Sequence, residues 1–176
     1  MKETLKFIFT VAIIVIPIRT FIAQPFIVSG ASMDPTLKTG HYLIIDELSY
    51  RFSKPERGDV IILKYPKDPK IFFIKRVIGL PNETVEVKDG IVSITTAQGS
   101  TTVLQDSFID PKNKISDSSK TTLLNDEYFV MGDNRAQSSD SRSWGPLPKD
   151  LIVGRAFARL YPFSMIGIFP GKIKFE

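Results

Sequence analysis

The chain has 176 residues with 23 Lys plus Arg against 19 Asp plus Glu, a formal net charge of +4, no cysteine and a single histidine. That length holds one modest domain with an ordinary core, and the small, scattered cationic excess speaks against nucleic acid as a partner while suiting a surface near anionic lipid. The missing cysteines exclude a disulfide, a thiolate nucleophile and a Cys-ligated metal, and the lone His41 excludes a multi-histidine metal site and all but excludes a Ser-His-Asp triad.

Residues Leu5 to Ile22 are almost wholly apolar. As one helix they would be about 27 Å long, close to the roughly 30 Å hydrocarbon core of a bilayer. Pro17 is tolerable in a membrane helix, and Arg19 near the far end would snorkel to the headgroups. Lys2 and Lys6 flank the near end, and after Arg19 no cation follows until Lys38, which places the N-terminus in the cytoplasm and the rest outside. The competing reading is a cleaved signal peptide, but the bulky segment Phe21 to Phe26 offers no small-x-small cleavage pattern and carries Pro25. We therefore expect an uncleaved anchor, residues 1–23, on a cell (inner) membrane, followed by an extracytoplasmic domain, residues 24–176.

The stretch Ser29-Gly30-Ala31-Ser32-Met33-Asp34-Pro35-Thr36-Leu37 packs two breakers around a small hydroxyl. Gly30 lets the backbone bend freely, and Pro35 forces Asp34 out of the helical region, so such a loop holds Ser32 exposed as a nucleophile requires. The same residues also make ordinary surface turns. His41, beside Gly40, reads as a surface residue. Tyr42–Ile45 and Val60–Leu63 are short buried-strand runs bounded by Gly40 and by Arg57-Gly58-Asp59.

A third strand runs from Ile71 to Ile78 and is closed by Gly79-Leu80-Pro81-Asn82. Alternation puts Ile71, Phe73, Lys75 and Val77 on one face and Phe72, Ile74, Arg76 and Ile78 on the other. A lysine amine among such side chains loses hydration, which lowers its pKa, and a neutral amine is a general base able to activate a serine. An edge strand whose lysine reaches into water is the plainer alternative.

Thr84–Val87 and Ile91–Thr95 read as a hairpin about Asp89-Gly90. From Thr96 to Thr122 the chain is rich in Ser, Thr, Asp and Lys and reads as a solvent-facing insertion or a flexible excursion. Glu127–Met131 resumes the core, Gly132-Asp133-Asn134 turns out of it, and Ile152–Leu160 is a late strand. The loop from Gly132 to Gly145 combines two Asp, two Arg and several hydroxyls before Trp144; Asp140 and Arg142 would pair and brace it. The apolar run Tyr161–Phe169 is either a membrane-contacting patch or a core strand. The soluble part is mainly β.

With these elements in place, the chain resembles the bacterial type I signal peptidases, membrane-bound Ser-Lys endopeptidases that remove signal peptides from exported proteins. The resemblance rests on four motifs in order after an anchor: Ser32-Met33-Asp34-Pro35-Thr36-Leu37; Arg57-Gly58-Asp59-Val60; Lys75-Arg76-Val77-Ile78-Gly79-Leu80-Pro81; and Gly132-Asp133-Asn134-Arg135 through Ser138, Asp140, Ser141-Arg142 and Trp144-Gly145. It implies a signal-peptidase fold, of the β type shared with LexA-like self-cleaving repressors, with a small inserted β subdomain at about residues 84–126. It implies Ser32 as nucleophile, Lys75 as general base, Ser138 as the hydroxyl holding the Lys75 amine, and Asp140 and Arg142 as support.

The substrates implied are exported preproteins with small residues at the first and third positions before the cut, bound as an extended strand. Matching positions for the pocket walls are Phe26, Val28, Met33, Leu37, Leu43, Ile62, Phe73 and Ile74. No metal or cofactor is implied. Some members place a serine two residues before the nucleophile; this chain has Gly30 there, so only the Ser32 backbone N–H carries over as an oxyanion donor. Asn82-Glu83 stands where many members have Gly-Asp, a change expected to alter only a turn. Two rivals are a self-cleaving repressor-type protease, whose DNA-binding domain is replaced here by an anchor, and a catalytically silent membrane-anchored β module that binds partners or lipid.

Overall fold

The computed structural model describes residues 2–17, 23–105, 109, 111–113 and 117–175. The apolar N-terminal run forms helix α1, Lys2–Pro17. Sixteen residues rise about 24 Å, short of the roughly 30 Å core of a bilayer, and among the described residues no helix is long and apolar enough to cross a membrane. The expected span runs on to Ile22, and its residues 18–22 lie outside the described residues.

The rest of the chain is built from two antiparallel sheets. The larger takes strands in the order β1 (Ala23–Ile27), β2 (Tyr42–Asp46), β11 (Ile152–Tyr161), β3 (Val60–Tyr65), β4 (Asp68–Gly79), β9 (Glu127–Met131) and β10 (Leu147–Pro148), with β12 (Gly167–Ile168) paired to β11. The smaller takes β7 (Thr101–Val103), β6 (Ile91–Thr95), β5 (Thr84–Lys88) and β8 (Ser118–Thr122), in that order. Two four-residue helices, α2 (Ser49–Phe52) and α3 (Ser141–Trp144), complete the elements used below.

Strand alternation sorts the core into compartments. On β3, Ile62 packs with Val28, Met33, Leu37, Leu43 and Ile45, while its neighbours Ile61 and Leu63 pack with Val77, Tyr128, Val130 and Leu147. All three β3 residues are fully buried, each contributing about 1.5–3 kcal/mol of apolar transfer. A third cluster joins Ile78, Phe129 and Met131 of the large sheet to Val85, Val87, Val92 and Ile94 of the small one. Strand β4 is central to the arrangement: it pairs with β3 from Asp68 to Arg76 and with β9 from Arg76 to Gly79, so Lys75 opposes Ile61 just before the strand gains its second partner.

The stretch Thr96–Thr122 departs from expectation, because it supplies the outer strands β7 and β8 of the small sheet. These strands are threonine- and serine-rich because they lie at an edge, with β7 exposed throughout and β8 buried on neither side. Their pairing is marked by cross-strand hydroxyl contacts, Thr84 with Thr122 at 2.9 Å and Thr95 with Thr101 at 3.0 Å. The hairpin β5–β6 turns through Asp89 and Gly90, both at positive φ (51° and 76°), as a two-residue turn of the favoured twist demands.

Two further expectations are corrected. His41 is buried rather than on the surface, and its Nδ1 accepts the Lys38 N–H at 3.3 Å. Glu83 does more than alter a turn: its carboxylate accepts the Leu80 N–H at 2.7 Å and pairs with Arg57 at 2.6 Å, tying the turn after β4 to the segment before β3.

The C-terminal segment returns across this joint. A Cβ added at Gly58, whose φ is +91°, would lie 1.8 Å from the Ile173 carbonyl oxygen. Gly58→Ala should therefore lower the stability of the full chain by about 2 kcal/mol or more, because backbone must move as well as adopt a strained φ. Gly99→Ala, at φ +85° with nothing within 4 Å, should cost only about 1–2 kcal/mol. Thermal melting of the two variants side by side checks the difference, and equal losses would contradict the close approach of Ile173.

Candidate active site

The loop after β1 is shaped by local bonds before any chemistry is considered. Val28 donates to the His41 carbonyl and Gly40 to the Val28 carbonyl, both at 2.9 Å, which closes the loop at its neck. Thr39 Oγ1 accepts from the Gly30 N–H at 3.1 Å and donates to the Gly30 carbonyl at 3.0 Å, fixing the glycine at φ +96°. Met33 and Leu37 are linked by a backbone bond of 2.9 Å and point four residues apart into the core, 1% and 0% exposed. Ser32, between the glycine and this buried anchor, stays half-buried at the surface of the loop.

Strand β4 brings Lys75 to it. Lys75 Nζ lies 2.9 Å from Ser32 Oγ and donates to the Ile74 carbonyl at 3.1 Å, with the Phe73 ring centroid 4.8 Å away. The side chain is 2% exposed. Burial pushes its pKa down to about 8; the Arg142 charge acts in the same direction, while the Asp140 and Asp133 carboxylates oppose it. Among the described residues no carboxylate is in ion-pair contact with Lys75, so desolvation wins.

The loop leaving β9 closes the third side. The Asn134 N–H donates to the Ser32 carbonyl at 3.0 Å. A Cβ at Gly132 would stand 2.4 Å from that carbonyl and 2.3 Å from Ser138 Oγ, so only glycine lets this backbone lie against Ser32. Ser138 Oγ is buried and has no hydrogen-bond partner among the described residues; the structure brings it beside Ser32 through Gly132 without a bond to the Lys75 amine. Asp140, fully buried, accepts the Gly132 N–H at 3.0 Å and takes Arg142 Nε and Nη2 at 2.8 Å each. It also caps α3 by accepting the Arg142 N–H at 3.3 Å.

A second charged set braces the same place. Arg76, fully buried on the opposite face of β4, meets Asp133 in two parallel bonds of 2.8 and 2.6 Å and donates to the Gly58 and Gly171 carbonyls. Asp133 Oδ2 also accepts from Thr36 Oγ1 at 2.6 Å, which ties the Ser32 loop to the loop after β9. Sequence reasoning quoted Arg76 and Asp133 inside motifs but assigned them no part. The available signal was the cation on an apolar strand face, since a buried guanidinium requires an anion.

A cleft of about 190 Å³ opens beside Ser32. Phe26, Val28, Met33, Ile62, Phe73 and Ile74 line it, as does Phe72, which meets the Phe26 ring edge-on with centroids 5.8 Å apart. Leu37 and Leu43 lie elsewhere, fully buried in the core beneath the loop. Phe72 was absent from the expected walls although alternation puts it on the same strand face as Ile74.

Comparison with known proteins gives the family. Residues 1–161 match the family model described as "Signal peptidase, peptidase S26". A protein of Synechocystis sp. described as "Probable signal peptidase I-2" is 37% identical over 169 residues, covering 93% of this chain and 74% of the relative. "Signal peptidase I" of Leptolyngbya laminosa is 36% identical over 176 residues, covering 95% and 83%. A crystal structure of a signal peptidase I from Enterococcus faecalis superposes with a TM-score of 0.50 at 29% identity, over 58% of this chain and 97% of that one.

The depressed pKa of Lys75 makes a direct prediction. If the neutral amine is the working form, kcat/KM rises with pH and reaches half its plateau at about 8, with the low-activity side at acid pH where the amine is charged. A pH profile on a peptide substrate checks it; activity already at its plateau at pH 6 would contradict a lysine base.

Proposed function

The chain belongs to the signal peptidase family, peptidase S26, and is a serine peptidase, and we propose that it removes N-terminal signal peptides from exported preproteins with Ser32 as nucleophile and Lys75 as general base. The observation that carries this reading is the 2.9 Å contact between Ser32 Oγ and a lysine amine held out of water.

In this mechanism the neutral Lys75 amine takes the Ser32 proton as Oγ attacks the carbonyl carbon of the scissile bond. The oxyanion that forms faces the Ser32 backbone N–H. The Gly30 N–H is engaged by Thr39 Oγ1. The C–N bond then breaks, the leaving amine takes the proton from Lys75, and an acyl group remains on Ser32. Lys75 next takes a proton from water, whose oxygen attacks the acyl carbon, and returns it to Ser32 Oγ as the bond breaks. Burial of Lys75 serves both halves, because the same dry setting favours the neutral amine each time.

The cleft's apolar walls and modest volume suit small side chains such as Ala at the first and third positions before the cut. Ser138, Asp140 and Arg142 act as supports: Asp140 and Arg142 hold the Gly132 backbone, and Ser138 orients the amine once its hydroxyl rotates toward it. We take Leu5–Ile22 as the anchor, with the N-terminus cytoplasmic, residues 24–176 outside, and the small sheet within an insertion at about residues 84–126. Lipid contact is supported by the exposed side chains of Phe163, Ile166 and Ile168 beside β12, 78%, 59% and 68% exposed.

Ser32→Ala should lower kcat/KM by about 10³-fold or more while leaving the fold intact, since a half-buried loop hydroxyl contributes little to stability. Lys75→Arg should be equally inactive despite keeping the charge, because a guanidinium does not give up its proton. Incubation with a preprotein and sequencing of the new N-terminus reads both; wild-type turnover in either variant would overturn the dyad.

A further inference from the structure

Two described residues between β7 and β8, Asn113 and Asp117, touch the two loops of the site. Asn113, buried, donates from Nδ2 to the Asp34 carbonyl at 3.3 Å, two residues beyond Ser32. Asp117, just before β8, accepts from Arg142 Nη1 at 2.7 Å. Its own carbonyl accepts the Asp89 N–H at 3.1 Å, which fixes it to the turn between β5 and β6. From Arg142 the contacts run inward: to both carboxylate oxygens of Asp140 at 2.8 Å, and from Asp140 Oδ2 to the Gly132 N–H at 3.0 Å. Three bonded steps thus separate Asp117 from the glycine whose backbone lies against Ser32.

We infer that Asp117 is a positioning residue of this peptidase: its carboxylate, carried by the small sheet, holds the Arg142 guanidinium, and through it Asp140 and the Gly132 backbone, in register with Ser32 and Lys75. The inference rests on the reading of Ser32 and Lys75 as the dyad. Arg142 has an 8% exposed side chain and three acceptors, namely Asp140, the Arg135 carbonyl at 2.8 Å and Asp117. Nε and Nη2 hold Asp140, Nη2 also reaches the Arg135 carbonyl, and Nη1 holds Asp117, so losing Asp117 releases the Nη1 end of the fork, lets the guanidinium pivot and loosens the grip of Asp140 on Gly132. Asp117 is the member of this series that adjoins the small sheet, one residue before β8, so it couples that sheet to the catalytic loop.

The coupling has an electrostatic signature. The charged groups facing Lys75 are the Asp140 and Asp133 carboxylates and the Arg142 guanidinium, with the Ser32 hydroxyl and the Ile74 carbonyl in contact. Removing the Asp117 charge leaves Arg142 less neutralised. The field at Lys75 becomes more positive, and the neutral amine is favoured to lower pH. A residue that only stabilised the fold would leave that titration where it is.

The test uses the full chain and a fluorogenic peptide with Ala at the first and third positions before the cut, with Asp117→Asn, Asp117→Glu and Ser32→Ala compared. Asp117→Asn should lower kcat about tenfold with KM within about twofold, and move the acid limb of kcat/KM down by about half a pH unit. Asp117→Glu, which keeps the charge and displaces it by a methylene, should lose only about threefold in kcat with the limb unmoved. An Asp117→Asn enzyme with wild-type kcat and an unshifted limb, or one changed only in melting temperature, would overturn the inference. If Asp117→Asn does not fold, wild-type kcat in Asp117→Glu overturns it instead. An active Ser32→Ala enzyme would strike the dyad itself, an outcome read in a different variant.

Discussion

Two cations stand side by side on β4, and the burial of the first is the constraint on which the site depends. Lys75 and Arg76 are 2% and 0% exposed, on opposite faces of the strand. Taking either out of water is costly unless the charge is matched or given up. Arg76 is matched: Asp133 meets it in two parallel bonds, and two backbone carbonyls take its remaining edge. Lys75 has instead a serine hydroxyl, a backbone carbonyl and an aromatic face. A hydroxyl does not neutralise an ammonium, so the amine moves toward its neutral form, as the proposed base requires. The contrast between neighbours on one strand is therefore chemical: one is a structural clamp, the other an unmatched amine suited to the proton transfer we propose.

The clamp and the base serve the same end. Arg76 fixes Asp133, Asp133 fixes Thr36, and Thr36 lies on the loop that carries Ser32. Asp140 fixes Gly132, which lies against the Ser32 carbonyl, and the Asn134 N–H bonds that carbonyl directly. Three segments distant in sequence are thus drawn around one hydroxyl by charge-assisted bonds, and each is rooted in the core, the first in one cluster and the other two together in a second and third. Met33 and Leu37 root the first, Val77 and Ile78 the second, and Phe129 to Met131 the third. Such rooting keeps a nucleophile and base within bonding distance without substrate present.

The sequence made the strand alternation around Lys75 legible, because Phe73 and Val77 flank it at period two. It also marked the β5–β6 hairpin through Asp89-Gly90, and a bend around Ser32 through its glycine and proline. Strands β7 and β8 were illegible because edge strands of Thr and Ser carry the composition of a loop, and β8 pairs with β5, some thirty residues back, rather than with its sequence neighbour. His41 was misplaced for a related reason: its burial comes from the loop neck formed with Val28 and Lys38, and no local pattern announces it. Asp117 and Glu83 looked like solvated surface, and their meaning appears only once Arg142 and Arg57 are placed across from them. Pairings between distant charges are the part of a site that residue types alone cannot assign. The family motifs named Arg142 and Asp140 but left their third partner open.

The central claim is that burial makes Lys75 a neutral base, and direct titration of its amine by nuclear magnetic resonance tests it most plainly. With lysine side chains isotopically labelled in the full chain and Lys75 assigned by its loss in Lys75→Ala, its signal should titrate with a midpoint of about 8. A midpoint at the ordinary lysine value of about 10.4 would contradict the account.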